Sequence, residues 1–322
     1  MDQLLQLKSK TLTNLSVVCG STIKSTKRDN AIQLMHNLEY HLKLPRKISL
    51  ISIDIGIKNF SYCKLSNIES MDSKLHLNFN TWKTMDLNVK YPSNYQSPIN
   101  DTISARQRLG FLNFSVFKDL ILHNQPDIIL IENQRVKSNN NQVTLPGILL
   151  NYVFENLFYT NFELLKNYED LKCSLLPMNS SRLTNYLINR FLIKSEINSS
   201  NSKILRNKYV FNLLDNDMLT IEGMDCKNQD KRSFMKQYNQ QADQRIRKLD
   251  DLFDSVLYAL TFIQYHQNNR YLDHYLKNNL DVNELVHILN NNSVYYLRKI
   301  EDIKLTESAE PLGHKFIELP KM

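Results

Sequence analysis

Three stretches of the chain place carboxylates where an apolar pattern stops. Asp54 lies near the end of the run ISLISIDI at 48–55, with Gly56 just beyond it; Glu132 directly follows DIILI at 127–131. The third stretch, KLDDLFDSVLYAL, carries Asp250, Asp251 and Asp254. On a helix, residues three and four apart share a side, so Asp251 and Asp250 both pair with Asp254. Leu249, Phe253, Val256, Leu260 and Ile263 form an apolar stripe that these aspartates flank. Singly, each acid has an ordinary reading: a strand-ending turn former, a surface glutamate, or helix N-terminal acids favoured by the dipole. Gathered together they would repel one another and resist ionisation. A divalent cation removes that cost, and hard oxygen ligands suit Mg²⁺ or Mn²⁺. Two such ions, roughly 4 Å apart, suit hydrolysis of a phosphodiester without a covalent enzyme intermediate. No convincing Ser-His-Asp ordering, Walker-A loop or GxGxxG is present.

The elements that must position these acids read as follows. Residues 48–55 have the apolar character of a buried central strand. Gly56 to Asn59 supply a turn, Phe60–Leu65 return antiparallel, and Leu75–Leu87 give a third strand. A helix is expected over 104–123, a strand over 127–131, a helix over 147–166, a fifth strand over 173–176 and a helix over 178–194. Residues 195–247 are polar and basic without a firm apolar period, so they read as an insertion. An amphipathic helix follows over 249–266, and the tail has helix-like stretches without assignable chemistry. The order β-β-β-α-β-α-β-α plus a final helix predicts an α/β fold: a mixed five-stranded sheet flanked by helices. If the first and fourth strands are parallel neighbours, Asp54 and Glu132 leave the same sheet edge, where open α/β sheets bind ligands.

Residues 4–42 precede this core as a helical hairpin, with Gly20 as a left-handed C-cap and Ser25 or Thr26 capping the second helix. Lys24, Lys27 and Arg28 cluster at its turn, where backbone N–H groups and basic side chains can hold phosphate together. The run LKSKTLTNLSVVCGSTIKSTKRDNAIQLMHNL resembles a SAP-type helix-extended-helix DNA-binding module. Lys and Arg number 40 against 33 acids, a net charge of +7, which favours a polyanionic partner. The scattered cysteines Cys19, Cys63, Cys173 and Cys226 form no CxxC pair, which argues against zinc and against a disulfide framework. No apolar run is long enough to cross a bilayer, so a soluble protein is expected. Residues 1–28 are basic and rich in Ser and Thr, but Asp2 comes early and Arg28 is the only arginine, so no presequence is evident.

The segments SIDIGIKNFSYCKL, IENQRVKSN and KLDDLFDSVLYAL resemble the three active-site segments of the fungal mitochondrial cruciform-cutting endonucleases, relatives of bacterial RuvC with an RNase H-like fold. The resemblance spans roughly residues 5–265, leaving 195–247 and the C-terminal tail without a clear counterpart. It implies a SAP-like segment at 1–44, a nuclease domain at 45–270 and a C-terminal extension of unknown role at 271–322. It further implies metal ligation and catalysis by Asp54, Glu132, Asp251 and Asp254, with Asp250 assisting, around Mg²⁺ or Mn²⁺, and no organic cofactor. A homodimer would cut two symmetric strands of a four-way DNA junction, leaving 5′-phosphate nicks, in mitochondrial DNA recombination. Lys58 beside the first motif, Gln134, Arg135 and Lys137 after Glu132, and Arg247 and Lys248 before the aspartates would contact flanking DNA. Arg206, Lys208, Lys231, Arg232, Lys236 and Arg245 extend this second basic region. Two other readings remain: another RNase H-like nuclease, including one cutting RNA–DNA hybrids, and a catalytically inactive DNA-binding protein of the same fold.

Overall fold

A computed structural model of the chain describes residues 2–69, 76–92, 102–134, 146–168, 171–222 and 249–320. Its centre is strand β1 (Lys47–Asp54), whose Ile- and Leu-rich sequence is buried from Leu50 onward except for a short exposed start. β1 pairs antiparallel with β2 (Phe60–Glu69), which pairs antiparallel with β3 (Leu77–Met85). On its other side β1 runs parallel to β4 (Ile128–Glu132), and β4 runs parallel to β5 (Ser174–Met178). Parallel neighbours need crossover connections, and α5 (Thr102–Phe117) and α6 (Pro146–Tyr168) provide them.

The sheet has six strands, not the expected five. β6 (Leu219–Ile221) pairs parallel with the lower part of β3, giving the order β5-β4-β1-β2-β3-β6. It comes from the 195–247 stretch, which also contains helix α8 (Ser199–Asp215), capped by the Asn198 side chain on the Asn201 N–H. Leu205, Tyr209, Val210, Leu213 and Leu214 recur at helical spacing there and join the core. Polar neighbours dilute that period. Over 199–221 the stretch is therefore folded and packed into the core.

Alternation along the strands divides the apolar side chains between two faces. Ile51, Ile53 and Tyr62 pack with Phe117, Phe154 and Phe158 of α5 and α6. Leu50, Cys63, Leu65 and Trp82 pack with Leu252, Val256 and Leu260 of helix α9 (Asp250–Lys277). The N-terminal helices α1 (Asp2–Gln6), α2 (Ser9–Val18) and α3 (Lys27–Lys43) share this second core, as does α10 (Val282–Leu297). α9 passes unbroken through residue 270, so the tail continues from the same helix that carries the aspartates. Two further short α-helices among the described residues are α4 (Leu87–Lys90), capped by Asp86, and α7 (Ser180–Leu187), capped by Asn179.

The N-terminal hairpin has the expected punctuation. Gly20 sits at φ +73 after α2, and a Cβ there would lie 2.3 Å from the Tyr265 ring, so no larger residue fits. The Thr26 side chain accepts from the Asp29 N–H at the start of α3.

α3 docks on α9 through a buried histidine pair. His41 Nδ1 and His266 Nδ1 are 3.4 Å apart, and Arg270 Nε donates to His266 Nε2 at 3.2 Å. The two Nδ1 atoms thus face each other within hydrogen-bond distance, with the Arg270 guanidinium on the far side of the His266 ring. Burial and the Arg270 charge lower His41 to about 4. Burial, His41 and Arg270 lower His266 to about 3. Because the folded values are depressed, the pair stabilises the fold fully above pH 6.5, where the unfolded imidazoles are also neutral. That contribution is lost as pH falls from 6.5 through about 4. Melting temperature should therefore drop across that interval, and His41→Gln should flatten the drop; equal slopes would refute the coupling.

Candidate active site

Asp54 is the last residue of β1 and shares the α9-facing parity of Leu50, while Ile51 and Ile53 face the opposite layer. β1 and β4 are in parallel register, with Ile53 opposite Ile131, so Glu132 emerges beside Asp54 at the same rim. This is the juxtaposition that the two strand-ending acids lead one to expect.

α9 brings the third segment over the sheet. Trp82 Nε1 donates to the Leu252 carbonyl at 2.9 Å, and Cys63 Sγ donates to the Ser255 carbonyl at 3.4 Å. These bonds fix the first turns of α9 above β2 and β3. Asp254 and Asp251 are thereby set within electrostatic reach of Asp54.

The electrostatics record how close the acids lie. Asp54 is only 6% exposed, and burial is the main cause that raises its pKa well above the usual carboxylate value. The Glu132 charge, a hydrogen bond shared with Glu132, and then Asp254 and Asp251 raise it further. Asp254 is pushed up to about 6, again chiefly by burial; Arg206 opposes the rise, while Glu132 and Asp251 add to it. Arg206 of α8 holds both Asp254 oxygens through Nη1, at 2.5 Å to Oδ2. Both side chains are largely shielded from water, at 12% and 15% exposure, so the pair is not a surface ion pair of negligible weight.

Asp250, expected to assist as a ligand, is turned to α8 instead. Asn207 Nδ2 donates to it at 2.8 Å and Lys203 Nζ lies 3.5 Å away. One position along a helix rotates a side chain by about 100°, enough to send it to a neighbouring helix. Gln134 does meet the cluster: its Nε2 donates to Glu132 Oε2 at 2.6 Å, and its backbone N–H donates to Glu155 at 2.9 Å. Lys58 is exposed on the turn beyond Asp54. Lys24, Lys27 and Arg28 are exposed at the start of α3. Arg135, Lys137, Arg247 and Lys248 lie outside the described residues, as do Lys231, Arg232, Lys236 and Arg245.

Three further side chains belong to this rim without having been singled out for it by the sequence. Arg206 stood in a basic region without a partner. Tyr258, one turn after Asp254, is buried beside Asp54, Glu132 and Asp254, and burial with their charges raises its hydroxyl pKa. Glu155 of α6 is 6% exposed, and burial followed by the Glu132 charge raises its pKa, against the Gln134 N–H. Glu155 is the lone acid in the apolar run LLNYVFENLF, a signal that could have marked it.

The donor set fits a hard divalent cation. Four buried or half-buried carboxylates converge here with one described guanidinium to compensate them, and all their ligating atoms are oxygen. Among the described residues, no three acids are drawn to ligating distance around one point as they stand. Arg206 holds Asp254, and Gln134 holds Glu132.

Residues 50–272 match the family model described as mitochondrial resolvase Ydc2 / RNA splicing MRS1. The chain is 22% identical over 302 residues to the mitochondrial cruciform cutting endonuclease 1 of Saccharomyces cerevisiae, covering 81% of this chain and 82% of that protein. It is also similar to the crystal structure of the yeast mitochondrial Holliday junction resolvase Ydc2, with 18% identity and a TM-score of 0.53. That match covers 85% of this chain and 100% of that one. The structural likeness shows the fold: the mixed sheet with flanking helices has the expected RNase H-like architecture.

Proposed function

The chain belongs to the mitochondrial resolvase Ydc2 / RNA splicing MRS1 family, and from that premise we propose that it is an endonuclease resolving four-way DNA junctions in mitochondrial recombination. The carrying observation is the convergence of Asp54, Glu132, Asp251 and Asp254, distant in sequence, at one rim of the sheet. A protein that only bound nucleic acid would gain nothing from that repulsion. This separates a cutting member of the family from a binding one.

In this reading Asp54, Glu132, Asp251 and Asp254 would hold Mg²⁺, the ion class their oxygens suit, with Mn²⁺ able to replace it and two ions per site. When bound, the ions supply water activation and charge stabilisation during phosphodiester hydrolysis, leaving 5′-phosphate nicks. The chain's own residues prepare the place. Gln134 orients Glu132 through its amide, and Arg206 neutralises Asp254. The buried Tyr258 hydroxyl stays protonated under the acids. Lys58 on the exposed turn, together with Arg135, Lys137, Arg247 and Lys248, meets phosphates flanking the cut, and Lys24, Lys27 and Arg28 of the N-terminal unit meet an arm. Two symmetric cuts require two copies. Phe111 and Phe114 on α5, with Leu149, Leu150 and Val153 on α6, expose apolar side chains that suit a homodimer contact.

The test is cleavage of a four-way junction with and without Mg²⁺. Paired symmetric nicks that require Mg²⁺, with little cutting of linear duplex, are expected. Equal cutting of RNA–DNA hybrids would point to a different nuclease of this fold, and binding without cutting would point to a scaffold.

A further inference from the structure

A second cationic feature lies on the other face of the sheet. There β2 and β3 leave a cavity of about 340 Å³, lined by Lys64, Lys83, Lys90 and His123 among others. Its placement follows from strand parity. Phe60 and Tyr62 of β2 and Met85 of β3 face the α5–α6 layer, so Lys64 and Lys83 continue the same face farther from the rim. An apolar face has become a cationic one.

Lys64 and Lys83 are diagonal neighbours, because Tyr62 pairs with Lys83 and Lys64 with Thr81. Such neighbours sit roughly 7–8 Å apart, and like charges there are unfavourable. Both lysines are half-buried. Lys64 Nζ donates to the Asn124 amide oxygen at 2.5 Å, a neutral partner, and Lys83 lies 5.5 Å from the centre of the Tyr62 ring. The one lining acid, Asp119, accepts from the Tyr91 hydroxyl at 2.8 Å and lies 3.9 Å from His123. Among the described residues, no lysine of the cavity is within ion-pair distance of a carboxylate. Three ammonium groups thus surround one space with little to balance them, which is the arrangement that binds an anion.

We propose that this cavity is a phosphate-binding pocket, distinct from the site of cutting, in which Lys64, Lys83 and Lys90 clamp a phosphate group. The acids lie on the opposite face, so the phosphate held here is never the one hydrolysed. Resting on the nuclease reading, its source is the backbone of a junction arm; a free polyphosphate offers the same chemistry.

The experiment uses the full chain, with Lys83→Gln/Lys90→Gln and Lys64→Gln variants and a Lys83→Arg/Lys90→Arg control. Binding of a fluorescent four-way junction and of a linear duplex is followed by anisotropy from about 50 to 200 mM salt. The double glutamine variant should weaken binding by roughly 3- to 10-fold, with a salt slope smaller by about 2, near 0.9 per lost phosphate contact. The arginine control should keep the slope. Calorimetry with pyrophosphate distinguishes the source: binding to wild type but not to the variant, with the DNA slope unchanged, identifies free polyphosphate as the occupant. A folded glutamine variant with unchanged slope and unchanged pyrophosphate binding overturns the pocket. Wild-type protein that fails to prefer the junction would remove the proposed nuclease substrate, while the duplex and pyrophosphate arms still decide the pocket.

Discussion

Asp54→Asn should bind a four-way junction as tightly as wild type and fail to cut it. Asparagine is nearly isosteric with aspartate, so β1 and its register with Ile131 and Ser61 are preserved. What disappears is one anionic oxygen at the centre of the cluster, the acid that feels all three of the others. Losing a metal ligand of this kind removes on the order of 4 kcal/mol of transition-state stabilisation, or roughly 10³-fold in rate. Affinity for DNA comes from cations meeting phosphates, so removing a negative charge does not weaken it. Single-turnover cutting measured beside anisotropy separates the two quantities. Full cleavage by the variant would sink the site assignment; loss of both cutting and binding would make Asp54 structural.

The two strand-ending acids were legible because their positions follow from rules that act locally. An apolar strand must stop where its sheet stops, and a parallel pair then delivers both ends to one edge. The helical aspartates were legible only as a set. Spacing placed Asp250, Asp251 and Asp254 on one flank, but whether Asp250 joined the cluster depended on α8, which draws it away through Asn207 and Lys203. α8 was hidden because Leu205, Tyr209 and Leu213 stand in a run dominated by Asn, Ser and Lys. β6 was hidden for a different reason. Three residues carry too little pattern to announce a strand, and Leu219–Ile221 is a strand only because the free edge of β3 lies beside it. Arg206 and Glu155 are contributions of tertiary packing, since neither has a neighbour in sequence that names its partner.

Arg206→Ala should produce the largest loss of stability among single substitutions at the rim, and the loss should depend on Mg²⁺. Asp254 and Arg206 are both largely shielded from water, so removing the guanidinium leaves a carboxylate among other acids without its cation. Breaking a buried pair in this way costs about 3–5 kcal/mol. For a chain of this size that corresponds to a melting temperature lower by on the order of 10 °C in EDTA. Arg206→Lys should recover part of the loss, because an ammonium replaces the charge but sits on a differently shaped, more strongly hydrated head than the guanidinium whose Nη1 meets both oxygens. If the acids serve a divalent ion, Mg²⁺ should raise the melting temperature of Arg206→Ala by more than that of wild type, since binding to the folded state alone stabilises it. The double variant Arg206→Ala/Asp254→Asn then tests the cause. Removing the stranded carboxylate should restore stability in EDTA and abolish most of the extra response to Mg²⁺, a non-additivity expected only of groups in contact. Equal Mg²⁺ responses in wild type and Arg206→Ala would mean that the guanidinium and the ion do not compensate the same charge.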